Sequence, residues 1–307
     1  MQPVTVGIPR GMLYFRYKTL WQTFFDQLGV QTVLSPATTH ALMEEGMAVT
    51  IDEACLSLKI YLGHVHALLG KCDYIFVPRV CNFGRGREFC ARFEALYDMT
   101  CNVFRDSGQK FVDLNVDEIT HHDEESAYIA LGQALGADHK AAKKAYAAAK
   151  KEDQRRWKET VKAQNALERQ DGLKILIAGH SYIIDDPYIG KPIIDGLKKG
   201  GAIPLRADIV DREAALKHSG ELSPTCKWEL NREILGGVHM NFDKVDGVIL
   251  LSTFPCGPDA MVNELMLRRL SGKPMLQLVL DGQSGTAGVD TRLESFLDII
   301  RFKRGLL

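Results

Sequence analysis

Strand-like and helix-like segments alternate along most of the chain, and this alternation constrains the fold more than any other feature. Short runs rich in apolar residues lie at Val4–Ile8, Gln31–Leu34 and Tyr74–Val80, and another lies near Lys110–Leu114. Segments of helix length separate them, which is typical of βαβ units. We therefore predict an α/β fold with a doubly wound parallel sheet, whose ligand-binding loops lie at the carboxyl ends of the strands.

The alternation stops once and then restarts, which divides the chain into three parts. The span His139–Gln170 is nearly free of Gly and Pro and carries ten Lys or Arg against four Asp or Glu. It predicts a long solvent-exposed helix, with a basic partner-docking or phosphate-binding surface as the alternative. We predict an N-terminal α/β lobe (residues 1–122), a helical connector (123–171) and a C-terminal α/β lobe (172–307). The strand patterns of the last part are Leu173–Ala178, Ala202–Arg206, Gly247–Leu251 and Pro274–Leu280.

Charge and cysteine content exclude several classes of protein. A net charge of −1 argues against nucleic-acid binding and against docking on an anionic membrane. No apolar run reaches the roughly 18 residues that would span a bilayer. The seven cysteines cannot all pair, and the first ten residues show no signal peptide. We expect a soluble protein of the reducing cytoplasm, whose cysteines are buried hydrophobes, nucleophiles or metal ligands.

Four cysteines lie where a loop meets a strand end or a helix start. Cys81 and Cys256 come after predicted strands, Cys55 lies at a predicted helix start, and Cys90 lies between a loop and a helix. A helix N-terminus favours the thiolate. No pair has CxxC spacing, so neither a zinc ribbon nor a thioredoxin-type site is indicated. Dispersed cysteines are compatible with a three-cysteine [4Fe–4S] site. The others have the pattern of ordinary hydrophobes: Cys72, Cys101 and Cys226.

Several short motifs, spread over nearly the whole chain, share one family pattern. They are Ile8-Pro9-Arg10-Gly11-Met12-Leu13-Tyr14, Asp52-Glu53-Ala54-Cys55-Leu56, Phe76-Val77-Pro78-Arg79, Asp186-Pro187-Tyr188-Ile189 and Phe254-Pro255-Cys256-Gly257-Pro258-Asp259. Together they resemble the acyl-CoA dehydratase activase-related proteins. That family is related to the iron–sulfur subunits of 2-hydroxyacyl-CoA dehydratases and to double-cubane cluster proteins.

The resemblance implies two flavodoxin-like lobes with a [4Fe–4S] cluster, single or in a double-cubane arrangement, held by cysteines in the cleft. Cys55 and Cys256 match the family pattern directly. Cys90 stands where the family has Cys-Pro-x-Phe, but this chain lacks the proline. Cys81 is therefore an alternative third ligand, and we prefer Cys90 because Phe93 keeps the spacing of the motif. The predicted ligands are Cys55, Cys90 and Cys256.

In the dehydratases of this group, an ATP-hydrolysing activase delivers a low-potential electron to the cluster, and water is eliminated from a 2-hydroxyacyl thioester. The resemblance implies a dehydratase (lyase) or reductase component for a small acyl-CoA-like substrate, in a homo- or hetero-oligomer. The stretch Gly282-Gln283-Ser284-Gly285-Thr286 lacks a P-loop lysine and predicts a turn, so ATP hydrolysis would belong to the activase partner. The alternatives are an iron–sulfur electron carrier or accessory protein, and a small-ligand-binding protein without a cluster.

Three further positions are candidate functional residues. Glu53, two residues before Cys55, is a candidate general base or fourth cluster ligand, with helix capping as the alternative. His64 belongs to the matched pattern and is a candidate proton donor near the cluster, with helix packing as the alternative. The segment Gly179–Tyr182 follows a predicted strand and either lines a substrate pocket or turns the chain.

Overall fold

The computed structural model describes residues 4–282 and 288–306. The chain forms two compact units, residues 1–158 and 159–307, and each contains one four-stranded parallel sheet. This confirms the predicted α/β class with two flavodoxin-like, doubly wound lobes. The separate helical connector stays a prediction, because the boundary between the compact units falls within one long helix. The predicted turn at 283–286 lies outside the described residues.

The first unit is built around a parallel sheet in the order β2-β1-β3-β4, so the strand order reverses between β1 and β3. Its strands are β1 (Thr5–Ile8), β2 (Gln31–Leu34), β3 (Tyr74–Asn82) and β4 (Lys110–Asp117). Its helices are α1 (Tyr14–Gln27), α2 (His40–Ala48), α3 (Leu56–His66), α4 (Ala91–Glu94), α5 (Leu96–Val103), α6 (Glu124–Ala134) and the beginning of α7 (His139–Glu168).

Aromatic side chains from the helices fill the core of this unit. Trp21 and Phe25 of α1 meet Phe76 of β3 edge-on, with ring centroids 4.9 and 5.4 Å apart. Phe24, also on α1, meets Tyr128 of α6 edge-on at 5.0 Å. All five side chains are buried, and each aromatic pair contributes about 0.5–1.5 kcal/mol beyond the area that it buries. These contacts hold α1 and α6 to the unit's core.

Helices α2 and α3 cross at two glycines, which allow the two backbones to touch. A Cβ at Gly46 would lie 1.9 Å from the carbonyl oxygen of Lys59, and a Cβ at Gly63 would lie 2.2 Å from that of Leu42. No larger residue fits at either position without moving a helix. The crossing therefore fixes α3, and with it the loop that carries Cys55.

The second unit repeats the same architecture, with the order β6-β5-β7-β8 and a reversal between β5 and β7. Its strands are β5 (Leu173–Ala178), β6 (Ala202–Arg206), β7 (Gly247–Thr253) and β8 (Met275–Leu280). Its helices are α8 (Ser181–Ile184), α9 (Lys191–Lys199), α10 (Arg212–Leu222), α11 (Glu229–Asn241), α12 (Gly257–Arg269) and α13 (Val289–Lys303). Every residue of β7 is buried, as expected for a strand covered on both faces.

Each of the eight predicted strands is present, and the bounds of five of them differ by one to three residues. Strand β3 extends to Asn82, so Cys81 lies inside the strand rather than after it. Pairing with β4 continues past the predicted end, from Val80 opposite Val116 to Asn82 opposite Asp117, with an irregularity between the two pairs. No helix in the described ranges is long and apolar enough to cross a membrane.

Candidate functional site

The three predicted ligand cysteines share one local structure, since each is the N-cap residue of a helix. Cys55 precedes α3, Cys90 precedes α4 and Cys256 precedes α12. Each has extended backbone angles, and each side chain is partly buried rather than enclosed. The first amides of a helix and its dipole favour negative charge at this position. All three cysteines thus stand at helix starts, and none of their side chains makes a capping hydrogen bond to the helix amides.

The other four cysteines are partly buried as well. Burial raises the pKa of the thiols of Cys72, Cys101 and Cys226. Burial, together with the negative charges of nearby Asp117 and Glu94, raises the pKa of Cys81 to about 11. The thiolate is the form that binds metals, and a raised pKa makes the thiolate harder to form. This environment disfavours Cys81 as the alternative to Cys90.

The predicted ligands are divided between the two units. Cys55 and Cys90 belong to the first unit and Cys256 belongs to the second. The described residues contain no group of three or more His, Cys, Asp or Glu side chains arranged to hold a metal ion. Each unit by itself thus supplies only part of the predicted set. The donors fit an iron–sulfur cluster in chemistry, because cysteine thiolates are its usual ligands.

A buried polar network lies beside Cys256 at the carboxyl edge of the second sheet. His180 follows β5 as the N-cap of α8, and Asp259 lies in the first turn of α12, which follows β7. Because β5 and β7 are neighbouring parallel strands, their carboxyl ends meet. His180 Nε2 lies 2.7 Å from Asp259 Oδ1, and both side chains are about 5% exposed. The network occupies the reversal in strand order, where doubly wound sheets bind ligands.

The Asp259 carboxylate is bonded through Oδ1, whereas its buried Oδ2 has no hydrogen-bond partner among the described residues. Asn231 Nδ2 of α11 donates to the same oxygen as His180, at 2.8 Å, and the thiol of Cys256 also hydrogen-bonds this carboxylate. Burial alone would raise the pKa of Asp259, but the His180 charge and these hydrogen bonds outweigh it and keep the pKa below its ordinary value. The ring of Tyr182 stacks on that of His180 at 4.8 Å. A charged carboxylate is thereby held in the interior next to Cys256.

Sequence reasoning singled out the Gly179–Tyr182 segment but missed its partners. Asp259 stands three residues after Cys256, which is the spacing of an N-cap and a first-turn acid, so the motif carried a signal. The sequence carried no signal for Asn231, because only the packing of α11 brings this residue to the site.

An ion-pair cluster lies at the end of the neighbouring strand β6. The guanidinium of Arg206 donates to Asp208 at 2.9 and 2.7 Å and also pairs with Asp185. Burial opposes the charge of Arg206, but the two carboxylates raise its pKa above the ordinary value. Because every charge in this cluster has a partner, the cluster is structural and closes this side of the sheet edge.

The candidate catalytic residues of the first unit lie in contrasting places. His64 is fully buried, and its Nδ1 and Nε2 lie 2.9 Å from Ser35 Oγ and 3.1 Å from Thr38 Oγ1. Burial lowers its pKa to about 3, with a smaller effect from Arg10, so the ring is neutral at pH 7. This environment matches the helix-packing alternative, and the proton-donor role stays a prediction. Glu53 is exposed in the turn before α3, and its general-base role likewise stays a prediction.

Comparison with known families gives one match. The model of the CoA enzyme activase uncharacterised domain (DUF2229) matches residues 5–210, which is 206 of the 307 residues. The matched span includes the whole first sheet with Cys55 and Cys90, and it ends beyond β6, before Cys256. No curated protein matches the chain.

Proposed function

The chain belongs to the CoA enzyme activase uncharacterised domain family, and on that premise we propose that it is an iron–sulfur protein of an activase-dependent CoA enzyme system. In this proposal Cys55, Cys90 and Cys256 hold a [4Fe–4S] cluster, alone or as part of a double-cubane arrangement, in the reducing cytoplasm. An ATP-dependent activase supplies the electron, and the chain takes part in dehydration or reduction of a small acyl-CoA-like substrate.

One observation carries the proposal. Each of the three cysteines singled out by the family pattern is a helix N-cap, whereas the thiols of the other four have raised pKa values. Cysteine binds iron as the thiolate, and the proposal places the cluster on the three cysteines that both the family pattern and the helix starts single out. Three protein ligands leave one iron open for water or substrate, which suits catalysis better than electron storage.

The residues around two of these cysteines make them rigid. Ala54 and Leu56 on either side of Cys55 are buried, and so are Phe89 and Phe93 around Cys90. Buried neighbours fix the backbone of each loop, so the sulfur atoms need little reorganisation before they bind. When bound, the cluster would supply low-potential one-electron chemistry. The helix N-termini would stabilise the negative charge of the ligating thiolates.

Iron and acid-labile sulfide content after anaerobic reconstitution tests this proposal. Cys→Ser variants at positions 55, 90 and 256 should each lose at least half of the bound iron and sulfide of the wild type. Matched controls at positions 72, 101 and 226 should keep the wild-type content, because their thiols lie in buried surroundings that disfavour the thiolate. The proposal fails if the wild type takes up neither element, or if the ligand and control variants behave alike. Cys81→Ser decides between Cys81 and Cys90.

A further inference from the structure

Strand β4 lies at one edge of the first sheet, and among the described residues no strand pairs with its outer side. The chain itself begins an antiparallel ladder there, because Asp117 and His122 exchange backbone hydrogen bonds of 2.8 and 2.9 Å. Alternate residues of a strand direct their N–H and C=O groups to the same side, so those of Asp113 and Asn115 also point outward. After His122 the chain turns into α6 at Glu124, and the ladder stops after one pair.

The other three edge strands of the molecule are protected in ways that β4 is not. Strand β2 is only four residues long. Strand β6 contains Pro204, and Gln164 of α7 bonds both the carbonyl oxygen and the N–H of Arg206, at 2.8 and 2.9 Å. On β8, Arg292 donates to the carbonyl oxygen of Gln277 at 2.6 Å. Strand β4 has eight residues, contains no proline and carries its only lysine at its first position. A long edge without such protection is a template for pairing with another chain.

A groove runs along this edge between β4 and α6. It encloses about 250 Å³, and its lining includes Asp113 and Asn115 on the strand side. On the helix side it is lined by Ala127, Ala130 and Ala134, whose single methyl groups leave the space beside the strand open. The outward backbone groups of β4 therefore face a cleft with an apolar opposite wall.

Helix α6 is held from behind, so the groove is preformed. Tyr128 meets Phe24 of α1 at 5.0 Å and stacks on Tyr146 of α7 at 4.9 Å. A Cβ at Gly132 would lie 2.6 Å from the Cβ of Ala142, which places α6 and α7 in close contact. A wall fixed in this way lets a ligand bind without the cost of ordering the site first.

We propose that this groove binds an extended peptide segment of a partner protein, which adds a fifth strand antiparallel to β4. The segment follows the course that a longer second arm of the Asp117–His122 hairpin would take, and it bonds the outward groups of Asp113 and Asn115. A second copy of β4 does not fit, because it brings its own α6 and the groove has room for one extended chain. The inference does not depend on cluster binding.

The charge of Asp113 determines one side chain of the peptide. Residues opposite each other in an antiparallel pair point to the same face of the sheet and lie close together. The peptide residue opposite Asp113 therefore lies beside a carboxylate. Arg79, on the neighbouring strand β3, is paired with Asp98 instead. A lysine or arginine is the complement of this position.

The other face of β4 determines the alternate side chains. Val112 and Leu114 are buried on this face. It is the face that α1 covers, because Phe76 of β3 pairs with Val112 and contacts Trp21 of α1. Peptide residues opposite Val112 and Leu114 point to the same side, toward α6 and its alanines, and should be apolar. The partner segment thus alternates apolar residues with polar or basic ones.

Fluorescence anisotropy with a labelled synthetic peptide tests the inference on the full chain. The peptide is fluorescein-Val-Thr-Val-Lys-Val-Thr-amide, which has the expected alternation, and it should bind with a saturable signal. Proline in place of the lysine removes the N–H that bonds Asp113 and should weaken binding about tenfold or more. Glutamate in place of the lysine should weaken binding about threefold or more, because it faces the Asp113 carboxylate.

Variants of the protein locate the binding to the groove. Ala130→Trp fills the groove and should weaken binding about tenfold or more. The matched control is Ala141→Trp, an exposed alanine on α7, which should leave the affinity unchanged. Asp113→Lys should reverse the charge preference, so that the glutamate peptide binds more tightly than the lysine peptide, which a misfolded variant would not do.

Three results would each overturn the inference. The first is the absence of saturable binding by the wild type. The second is equal affinity for the lysine and proline peptides, since strand addition needs the backbone N–H. The third is an unchanged affinity in Ala130→Trp together with an unchanged charge preference in Asp113→Lys, which would place the peptide elsewhere on the protein.

Discussion

The buried histidine of the first unit makes stability depend on pH in a defined direction. His64 is neutral in the folded protein because burial lowers its pKa to about 3, whereas an unfolded histidine titrates near 6.5. Between these values the unfolded chain binds a proton that the folded chain does not. The stability that His64 contributes is therefore present above pH 6.5 and is lost as the pH falls below it.

The size of the effect follows from the two pKa values. Between pH 7 and pH 5, protonation of His64 in the unfolded state lowers the unfolding free energy by about 2 kcal/mol. His64→Gln keeps polar atoms that can bond Ser35 and Thr38 but does not titrate. The stability of His64→Gln at pH 7 will differ from that of the wild type, but its pH dependence should lack the contribution of this one group.

Urea unfolding at pH 7, 6 and 5 measures this difference. In a background with Trp157→Phe and Trp228→Phe, the remaining Trp21 reports on the first unit, because it is buried against Phe76. The free energy of the His64 protein minus that of the His64→Gln protein should fall by about 2 kcal/mol from pH 7 to pH 5. Other titrating groups are common to both proteins and cancel. A difference that stays constant across this range would refute the reasoning.

Three further predictions concern single residues. Gly46→Ala should destabilise the first unit by about 2 kcal/mol or more, since its Cβ would lie 1.9 Å from the Lys59 carbonyl oxygen. Gly220→Ala on α10, where the Cβ meets open space, should stabilise the protein by about 0.5 kcal/mol. For either glycine variant, a urea midpoint equal to that of the wild type would contradict the prediction. Arg206→Met should cost about 3 kcal/mol in urea unfolding because it leaves the buried carboxylate of Asp208 without its guanidinium partner, and a loss below about 1 kcal/mol would contradict this. Cys81 should react with iodoacetamide far more slowly than free cysteine at pH 8, since its pKa of about 11 leaves about 0.1% as thiolate; equal rates in peptide mapping would contradict this.

Much of the fold could be predicted from the sequence because buried parallel strands leave a strong local pattern. Strand β5, for example, is a run of apolar residues that ends at a glycine, and its predicted and observed bounds agree. Helix α2 was missed, because its nine residues carry few cues beyond the cap at Thr39. The predicted end of β3 was wrong by two residues, so Cys81 was placed after the strand instead of inside it. The end of β3 depends on its pairing with β4 rather than on the sequence of β3 itself.

The candidate site was predictable only in part, and distance along the chain explains the rest. The N-cap positions of Cys55, Cys90 and Cys256 follow from local helix starts, which a sequence reveals. The contact of His180 with Asp259 joins residues 79 positions apart. Only the neighbouring placement of β5 and β7 brings them together, and strand order is a property of the folded sheet.

The central claim is that three helix-capping cysteines hold an iron–sulfur cluster. Iron and sulfide analysis of the triple variant Cys55→Ser, Cys90→Ser, Cys256→Ser, beside the wild type and the triple variant Cys72→Ser, Cys101→Ser, Cys226→Ser, tests it most directly. After anaerobic reconstitution, the wild type and the Cys72/Cys101/Cys226 triple variant should each bind about four iron and four sulfide for every [4Fe–4S] cluster that the chain holds. The Cys55/Cys90/Cys256 triple variant should bind almost none. Equal iron in the two triple variants, or none in the wild type, would contradict the claim.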